Sequence, residues 1–189
     1  MAVLKRRPRS RRAWLGTLLV LTSCAGLTAA TSPSEYQVKA VFLFNFTRFV
    51  EWPPQSFADP HAPFVIGVLG RDPFGSALDE AIRDETVNGH TLLVRRFQSM
   101  ADLQPCQILF IDRSAGPEAF RSLSSVERQG TLTVSDIDAY TEPGGIISFV
   151  SEGRKIRLRI NVDSARGAGL TISSKLLRPA QVVGSEAAR

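Results

Sequence analysis

The strongest hydrophobic pattern in the chain lies between Glu35 and Pro53. Apolar side chains recur there at helical spacing and cover most of the circumference of a helical wheel. Ser34 can cap the N-terminus with its hydroxyl, and Pro53 and Pro54 are expected to end the helix because proline lacks an N–H donor. The apolar arc consists of Tyr36, Val38, Val41, Phe42, Leu43, Phe46, Phe49, Val50 and Trp52. The pattern predicts one helix over 35–53, against which much of the core packs.

A narrow polar stripe on this helix consists of Gln37, Arg48 and Glu51, and Phe44 falls inside that stripe. An aromatic side chain that points at solvent is a candidate contact for another protein. Phe44, with Arg48 and Glu51 around it, is therefore predicted to belong to a homodimer or partner interface, unless the helix is covered on both sides within the monomer. Lys39 lies inside the apolar arc. We expect it to pair with an acid or a backbone carbonyl, because a buried unpaired ammonium is costly.

Three continuous apolar runs, each bounded by turn residues, predict strands that are covered on both faces, as in a parallel sheet. The runs are 64–70, 107–112 and 131–136. A further strand is predicted over 91–97. Helices are predicted from Pro73 to about Glu85, with Asp72 as the cap, and over 116–129. This alternation predicts an α/β fold in one compact domain, with a central, mostly parallel sheet flanked by helices.

The last third of the chain predicts a C-terminal β-hairpin followed by short helices. Its strands are 146–150 and 155–160. The second strand alternates strictly and places Lys155, Arg157 and Arg159 on its outward face. This basic row is either a solvated face that discourages edge pairing or a site for an anion or an acidic partner. The remaining segments are a short helix over 161–168, another over 173–178 that Pro179 ends, and a disordered tail over 184–189.

Three acids, Asp72, Asp112 and Asp136, each follow a predicted strand. The carboxyl ends of parallel strands share one edge of the sheet, where ligands tend to bind. The three side chains are therefore candidates for a ligand or anion site. The alternative is that each acid is the cap of a helix that follows it.

Composition argues against a nucleic-acid partner. Six of the 23 Lys and Arg residues lie in the first 30 positions, where there is no acid. The remaining chain carries 17 basic and 18 acidic residues. A nucleic-acid-binding domain needs a basic face on its folded part, and this balance does not supply one.

The first 30 residues resemble an export signal, because a basic segment precedes a short apolar run and then small residues. Cleavage is expected after Ala30, or before Cys24 if Leu21–Cys24 acts as a lipobox and Cys24 is lipidated. Arg11 and Arg12 loosely resemble a twin-arginine signal, which concerns the route. A retained anchor helix is a further alternative. Each of these places the domain in the periplasm, with membrane contact only through an N-terminal anchor.

Chemistry-bearing residues are sparse in the exported part. Cys106 is then the one cysteine that remains, and it is predicted to be a small buried side chain at the start of a strand, or else a thiol for an intermolecular disulfide. His61 and His90 lie in separate turns without ligands at metal spacing, so neither a metal nor a cofactor is predicted. No nucleophile elbow or phosphate loop is present in the sequence, which lowers the odds of an enzyme.

Six stretches, in order, resemble the YfiR family of bacterial periplasmic proteins. They are EYQVKAVFLFNFTRFVEWP at 35–53, VIGVLGRDPFG at 65–75, CQILFI at 106–111, LTVSD at 132–136, GGIISFV at 144–150 and AGLTISSKLL at 168–177. The resemblance spans about residues 34–183. Pro179 departs from the expected continuation of the last helix, and the single Cys106 precludes the two disulfides of some relatives.

The resemblance implies a compact α/β domain, often a homodimer, without enzymatic activity. Relatives bind the periplasmic part of an inner-membrane diguanylate cyclase and hold it inactive, and an outer-membrane lipoprotein can sequester the repressor. The sequence therefore predicts a non-catalytic periplasmic regulator that represses such a cyclase and lowers cyclic di-GMP signalling, which bears on biofilm formation. The alternative is a periplasmic small-ligand-binding or sensor protein with a different membrane partner.

Overall fold

Two hydrophobic clusters lie on opposite faces of one mixed sheet in the computed structural model, which describes residues 33–116, 119, 122, 130–137, 140–141, 144–153 and 155–184. Strand β2 (Phe64–Leu69) shows how the sequence builds both faces. Phe64, Ile66 and Val68 point into the first cluster, whereas Val65 and Leu69 point into the second. Successive side chains of a strand alternate between faces, so a continuous apolar run serves two layers at once.

Eight strands of this sheet lie in the described residues. Besides β2, they are β3 (Thr86–Val87), β4 (His90–Phe97), β5 (Ile108–Ile111), β6 (Leu132–Ser135), β7 (Ile147–Glu152), β8 (Lys155–Asn161) and β10 (Gln181–Val183). Their order across the sheet is β10–β8–β7–β6–β5–β2–β4–β3. The strands β4, β2, β5, β6 and β7 are mutually parallel. The hairpins β3–β4 and β7–β8 are antiparallel, and β10 joins β8 in parallel. The predicted mostly parallel sheet and the C-terminal hairpin are confirmed.

The order in which strands are added to the sheet changes sides at β2. From β2 the chain passes to β4 on one side, and then to β5 on the other side of β2. The loop after β2 leads to helix α2 (Ser76–Ile82), whose Leu78 packs in the first cluster. The loop after β5 leads to Ala119, which packs in the second cluster. The two loops therefore leave the same edge of the sheet toward opposite faces.

Helix α1 (Glu35–Phe49) covers the first cluster through Ala40, Leu43 and Phe46. Ser34 caps it as predicted, since its hydroxyl accepts from the Gln37 N–H, 3.2 Å away, while the Gln37 side chain accepts from the Ser34 N–H. Two short helices, α3 (Val162–Gly167) and α4 (Ser174–Leu177), pack on the same cluster.

The predicted end of the first helix was wrong. The helix stops at Phe49, and Val50–Glu51 form a short strand, β1, that pairs antiparallel with β9 (Thr171–Ile172). Ser173 also donates its N–H to the Phe49 carbonyl at 2.9 Å. A partner more than 100 residues away ends the helix before the prolines do, which a local pattern does not reveal.

The second helix also begins later than predicted, at Ser76. Asp72 does not cap it, because the Asp72 carboxylate accepts from the Phe74 N–H at 2.8 Å. This turn directs the Phe74 ring into the core, edge-on to Phe110 with centroids 4.8 Å apart. Because the Phe74 ring is buried in the core, the residues before Ser76 form this turn and not the first turn of the helix.

Several other predictions have clear outcomes. The two short C-terminal helices are confirmed, whereas strand β10 after Pro179 was missed. Cys106 is buried beside β5 in the second cluster, as predicted. The predicted helix over 116–129 lies mostly outside the described residues, as do the export segment and positions 185–189.

Candidate functional site

A charged network joins helix α1 to the carboxyl end of β6. Lys39 is only 2% exposed, and its Nζ lies 2.7 Å from Glu35 Oε1 and 2.8 Å from Asp136 Oδ2. The Tyr36 hydroxyl donates to the same Asp136 oxygen at 2.9 Å. The Tyr36 ring also lies 4.5 Å from the ammonium, measured to its centroid. The prediction that Lys39 pairs with an acid is confirmed, and the network ties the helix to a strand about 100 residues away.

Protonation of the network follows from these contacts. The pKa of Glu35 is lowered, first by its hydrogen bond from Lys39 and then by that from Ser151, 2.9 Å away. Burial raises the pKa of Tyr36, and the hydrogen bond to Asp136 raises it further. At neutral pH Glu35 is therefore ionised and Tyr36 keeps the proton that it donates.

A cleft of about 740 Å³ opens beside this network, at the carboxyl ends of β2, β5 and β6. Its lining residues are Glu35, Tyr36, Lys39, Arg71, Asp112, Arg113, Ser114, Asp136, Phe149 and Ser151. In open α/β sheets, ligands bind at the edge where loops diverge to opposite faces. The position of the cleft is therefore the one at which this topology favours binding.

The loops after β2 and β5 are in direct contact at the cleft. The Arg71 N–H donates to Ser114 Oγ at 2.7 Å, and the Ser114 N–H donates to Asp112 Oδ1 at 2.9 Å. Gly70 has φ +94°, and a Cβ there would lie 2.8 Å from Ser114 Oγ and 3.0 Å from the Ala115 nitrogen. Only glycine fits this backbone and this close approach. The contact fixes Arg71 and Arg113 at one mouth of the cleft.

The structure brings two of the three predicted acids together. Asp112 and Asp136 both line the cleft. Asp72 is turned away, since its Oδ2 accepts from Arg96 Nε at 2.7 Å. Arg96 also binds Asp79, and its hydrogen bond lowers the pKa of Asp79. The cap interpretation holds for Asp112, whose carboxylate accepts from the second residue of the following turn.

Sequence reasoning missed the cationic part of the cleft. Arg71 and Arg113 directly follow the predicted strands 64–70 and 107–112, so the rule of strand ends that selected the three acids would have found them if it had been applied to all charged residues. Tyr36 and Glu35 carried no such signal, because their place at the cleft depends on how α1 packs against β6.

Of the predicted interface residues, Phe44 and Arg48 lie on α1 and Glu51 lies on β1, and their exposure differs. Phe44 is half-buried and packs against the first cluster, with the Arg48 guanidinium carbon 4.5 Å from its ring centroid. Arg48 also binds Glu85 at 3.0 Å. Glu51 is exposed on β1. Val41, assigned to the apolar arc by the sequence pattern, is instead 50% exposed, one turn from Phe44. We define the outward stripe as Gln37, Val41, Phe44, Arg48 and Glu51.

The basic row on β8 is covered by a neighbouring strand at one end only. Strand β10 pairs with β8 from Arg159 to Asn161, so Lys155 and Arg157 lie beyond that pairing. Arg159 donates to the Gln181 side chain at 3.1 Å, and Arg157 lies 3.4 Å from Glu152. Lys155 and Arg157 are exposed. The row therefore lies apart from the cleft, with two of its three cations engaged by neighbours.

Among the described residues, no three His, Cys, Asp or Glu side chains are placed to hold a metal ion. The same part of the chain contains no helix that is long and apolar enough to cross a membrane.

A family model described as YfiR/HmsC-like matches residues 36–181. The chain belongs to this family. The match spans α1, the whole sheet edge that forms the cleft, and the first residue of β10. No curated protein matches the sequence. The YfiR family is periplasmic and regulatory, and membership supports a general role as a periplasmic regulator of diguanylate cyclase.

Proposed function

We propose that this protein is a non-catalytic repressor that binds the periplasmic part of an inner-membrane diguanylate cyclase and lowers cyclic di-GMP. The observation that carries the proposal is the outward stripe of α1, seen together with membership of a family of cyclase regulators. Regulation by contact needs a surface that stays accessible in the folded protein. The outward stripe supplies one through the exposed side chains of Val41, Arg48 and Glu51.

The stripe has the composition of a contact site. Val41 is one of two large apolar side chains that the described residues leave exposed, the other being Leu93. Phe44 and Arg48 adjoin it as a stacked aromatic–cation pair. Contact sites combine apolar and aromatic centres with arginine at their margin. A partner that covers Val41 would also desolvate the Phe44–Arg48 pair, which strengthens its electrostatic attraction.

The test is cellular cyclic di-GMP in the strain that encodes this protein. We expect deletion of the gene to raise cyclic di-GMP, wild type to reverse the rise, and Val41→Glu or Phe44→Glu to fail to reverse it. Leu93→Glu is the matched control, since it places the same charge at a similarly exposed apolar position on β4. A Val41→Glu protein that is folded and represses as wild type does would refute the stripe as the binding surface.

The outward stripe is also suited to bind a second copy of the chain, so the experiment must distinguish cyclase binding from homodimer formation. Light scattering on purified wild type and Val41→Glu reports the oligomeric state. A pull-down with the periplasmic part of the cyclase reports partner binding. Loss of the pull-down with an unchanged oligomeric state assigns the stripe to the cyclase. Loss of a dimer alone assigns it to self-association, and an outer-membrane lipoprotein is tested in the same pull-down.

The proposed export is tested by the intact mass of the protein isolated from the cell envelope. Cleavage after Ala30 gives an unmodified chain that begins at Thr31. Cleavage before Cys24 gives a longer chain that carries lipid. A mass that matches the full 189 residues would contradict both.

A further inference from the structure

The cleft has the size and the walls of a small-molecule site. Its volume of about 740 Å³ falls within the range of roughly 300–1,000 Å³ that is typical of such sites. Its walls come from five separate elements, namely α1, the loop after β2, the loop after β5, the end of β6 and strand β7. The hydrogen bond from the Arg71 N–H to Ser114 Oγ and the close approach of Gly70 to Ser114 join two of these walls. Walls that the fold itself holds in place reduce the cost of binding.

Positive charge lies at one end of the cleft. Arg71 and Arg113 are exposed and come from the two diverging loops. Among the described residues, no ion pair joins either guanidinium to an acid. Two guanidiniums on adjacent strand ends match the oxygens of a carboxylate or a phosphate, which arginine binds with paired hydrogen bonds.

Hydrogen-bond acceptors line the same cleft, and one of them, Asp112, adjoins Arg113 in the chain. Within the described part of the chain, the contacts of Asp136 with Lys39 and Tyr36 both end on Oδ2. That of Asp112 with Ser114 ends on Oδ1. Each acid thus has a second oxygen outside these contacts. These carboxylates repel a bare anion, but they accept hydrogen bonds from the hydroxyl groups of a larger ligand.

We propose that this cleft binds a small hydroxylated organic acid. Arg71 and Arg113 hold its carboxylate or phosphate, and Asp112 and Asp136 accept hydrogen bonds from its hydroxyls. The Lys39 ammonium does not bind the ligand, because Glu35 and Asp136 already engage it; its role is to position Asp136. This site goes beyond the proposed repression of a cyclase and is tested without the cyclase.

The experiment titrates the purified exported protein with three probes: glycerate, glycerol 3-phosphate and glycerol. The first two each carry two hydroxyls and differ in the acid group, which is a carboxylate in glycerate and a phosphate ester one CH2 further out in glycerol 3-phosphate; glycerol has hydroxyls without an acid. Calorimetry gives the affinity, and amide chemical shifts locate the probe. We expect saturable binding of glycerate or glycerol 3-phosphate, with shifts at Gly70, Ser114 and Ser151. Binding of one acid and not the other assigns the ligand as a carboxylate or a phosphate.

The variants Arg71→Ala and Arg113→Ala remove exposed side chains, so the protein is expected to stay folded. Each should weaken binding about tenfold, as the loss of a charge-assisted hydrogen bond does. Arg178→Ala is the matched control, since Arg178 is exposed after α4 and does not line the cleft. Three results would overturn the proposal: binding of glycerol as tight as that of the acids, unchanged affinity in both arginine variants, or no binding of either acid at millimolar concentration.

Discussion

On helix α1, the buried side carries a charged residue and the exposed side carries an apolar one, the reverse of what hydrophobicity predicts. The inner side buries Lys39, whereas the outer side leaves Val41, two residues later, half exposed. The buried ammonium has two carboxylates and an aromatic ring around it. The exposed valine has no comparable partner among the described residues. The contrast shows that burial of a charge follows from partners elsewhere in the fold. For the exposed valine, the contact proposed above lies outside the monomer.

The largest effect is expected from removing the charge on the inner side. Lys39→Met should lower the free energy of unfolding by about 3 kcal/mol, because Asp136 would stay mostly buried without its cation. Urea denaturation measures this loss. Lys175→Met, which alters an exposed lysine on α4, should stay within about 0.5 kcal/mol of wild type.

The double variant Lys39→Met/Asp136→Asn sharpens the interpretation. Because it removes both charges, it should recover part of the stability that the single variant loses. A Lys39→Met protein as stable as wild type would contradict this prediction, because it would mean that the buried ion pair contributes nothing to the free energy of unfolding.

A smaller loss is expected from Leu43→Ala, which removes a fully buried side chain of the same helix. The cavity should cost about 2–3 kcal/mol. Val41→Ala is its control on the outer side and should cost less than about 0.5 kcal/mol. Equal losses in the two variants would show that Val41 is covered in solution, which would support a homodimer through the outward stripe.

The smallest effect is expected for Glu35, at the edge of the inner side of α1, and it depends on pH. The pKa of Glu35 lies below its ordinary value of 4.5 because Lys39 and Ser151 hydrogen-bond to its ionised form. Its stabilising effect is therefore complete above that ordinary value and is lost as the pH falls below it. The stability difference between wild type and Glu35→Gln should be largest at neutral pH and should shrink as the pH falls from the ordinary value of 4.5 through the lowered pKa of Glu35.

Glu80→Gln, at an exposed position on α2, provides the comparison for this pH series. A Glu35→Gln difference that stays constant across the same pH range would show that the hydrogen bonds from Lys39 and Ser151 do not favour the carboxylate.

Local sequence pattern sufficed for most strands of the sheet and for the pairing of Lys39. The apolar run of β2 encodes both faces by simple alternation, and the Lys155–Asn161 strand alternates as predicted. A lysine within an apolar arc requires a partner wherever the helix packs. These predictions depend on rules that apply within a few residues.

Long-range pairing accounts for what the pattern missed. Helix α1 ends at Phe49 because Val50 pairs with Ile172. Strand β10 forms because Gln181 lies opposite Arg159. The cleft needs α1 to dock on β6 before Tyr36 meets Asp136. None of these long-range contacts can be read from neighbouring residues. The charged residues at the strand ends were therefore predicted in part, whereas their assembly with α1 into a cleft was not.

The β1–β9 pairing has a consequence for biogenesis. Helix α1 is among the first described elements along the chain, yet the strand that closes its end comes from residues 171–172, and its polar contacts come from Asp136 and Ser151. Contacts of such sequence separation form slowly, since a long loop must close first. Helix α1 therefore lacks part of its native cover until residues 171–172 are in place. This order of contacts gives a chaperone a long opportunity to bind the phenylalanines of α1.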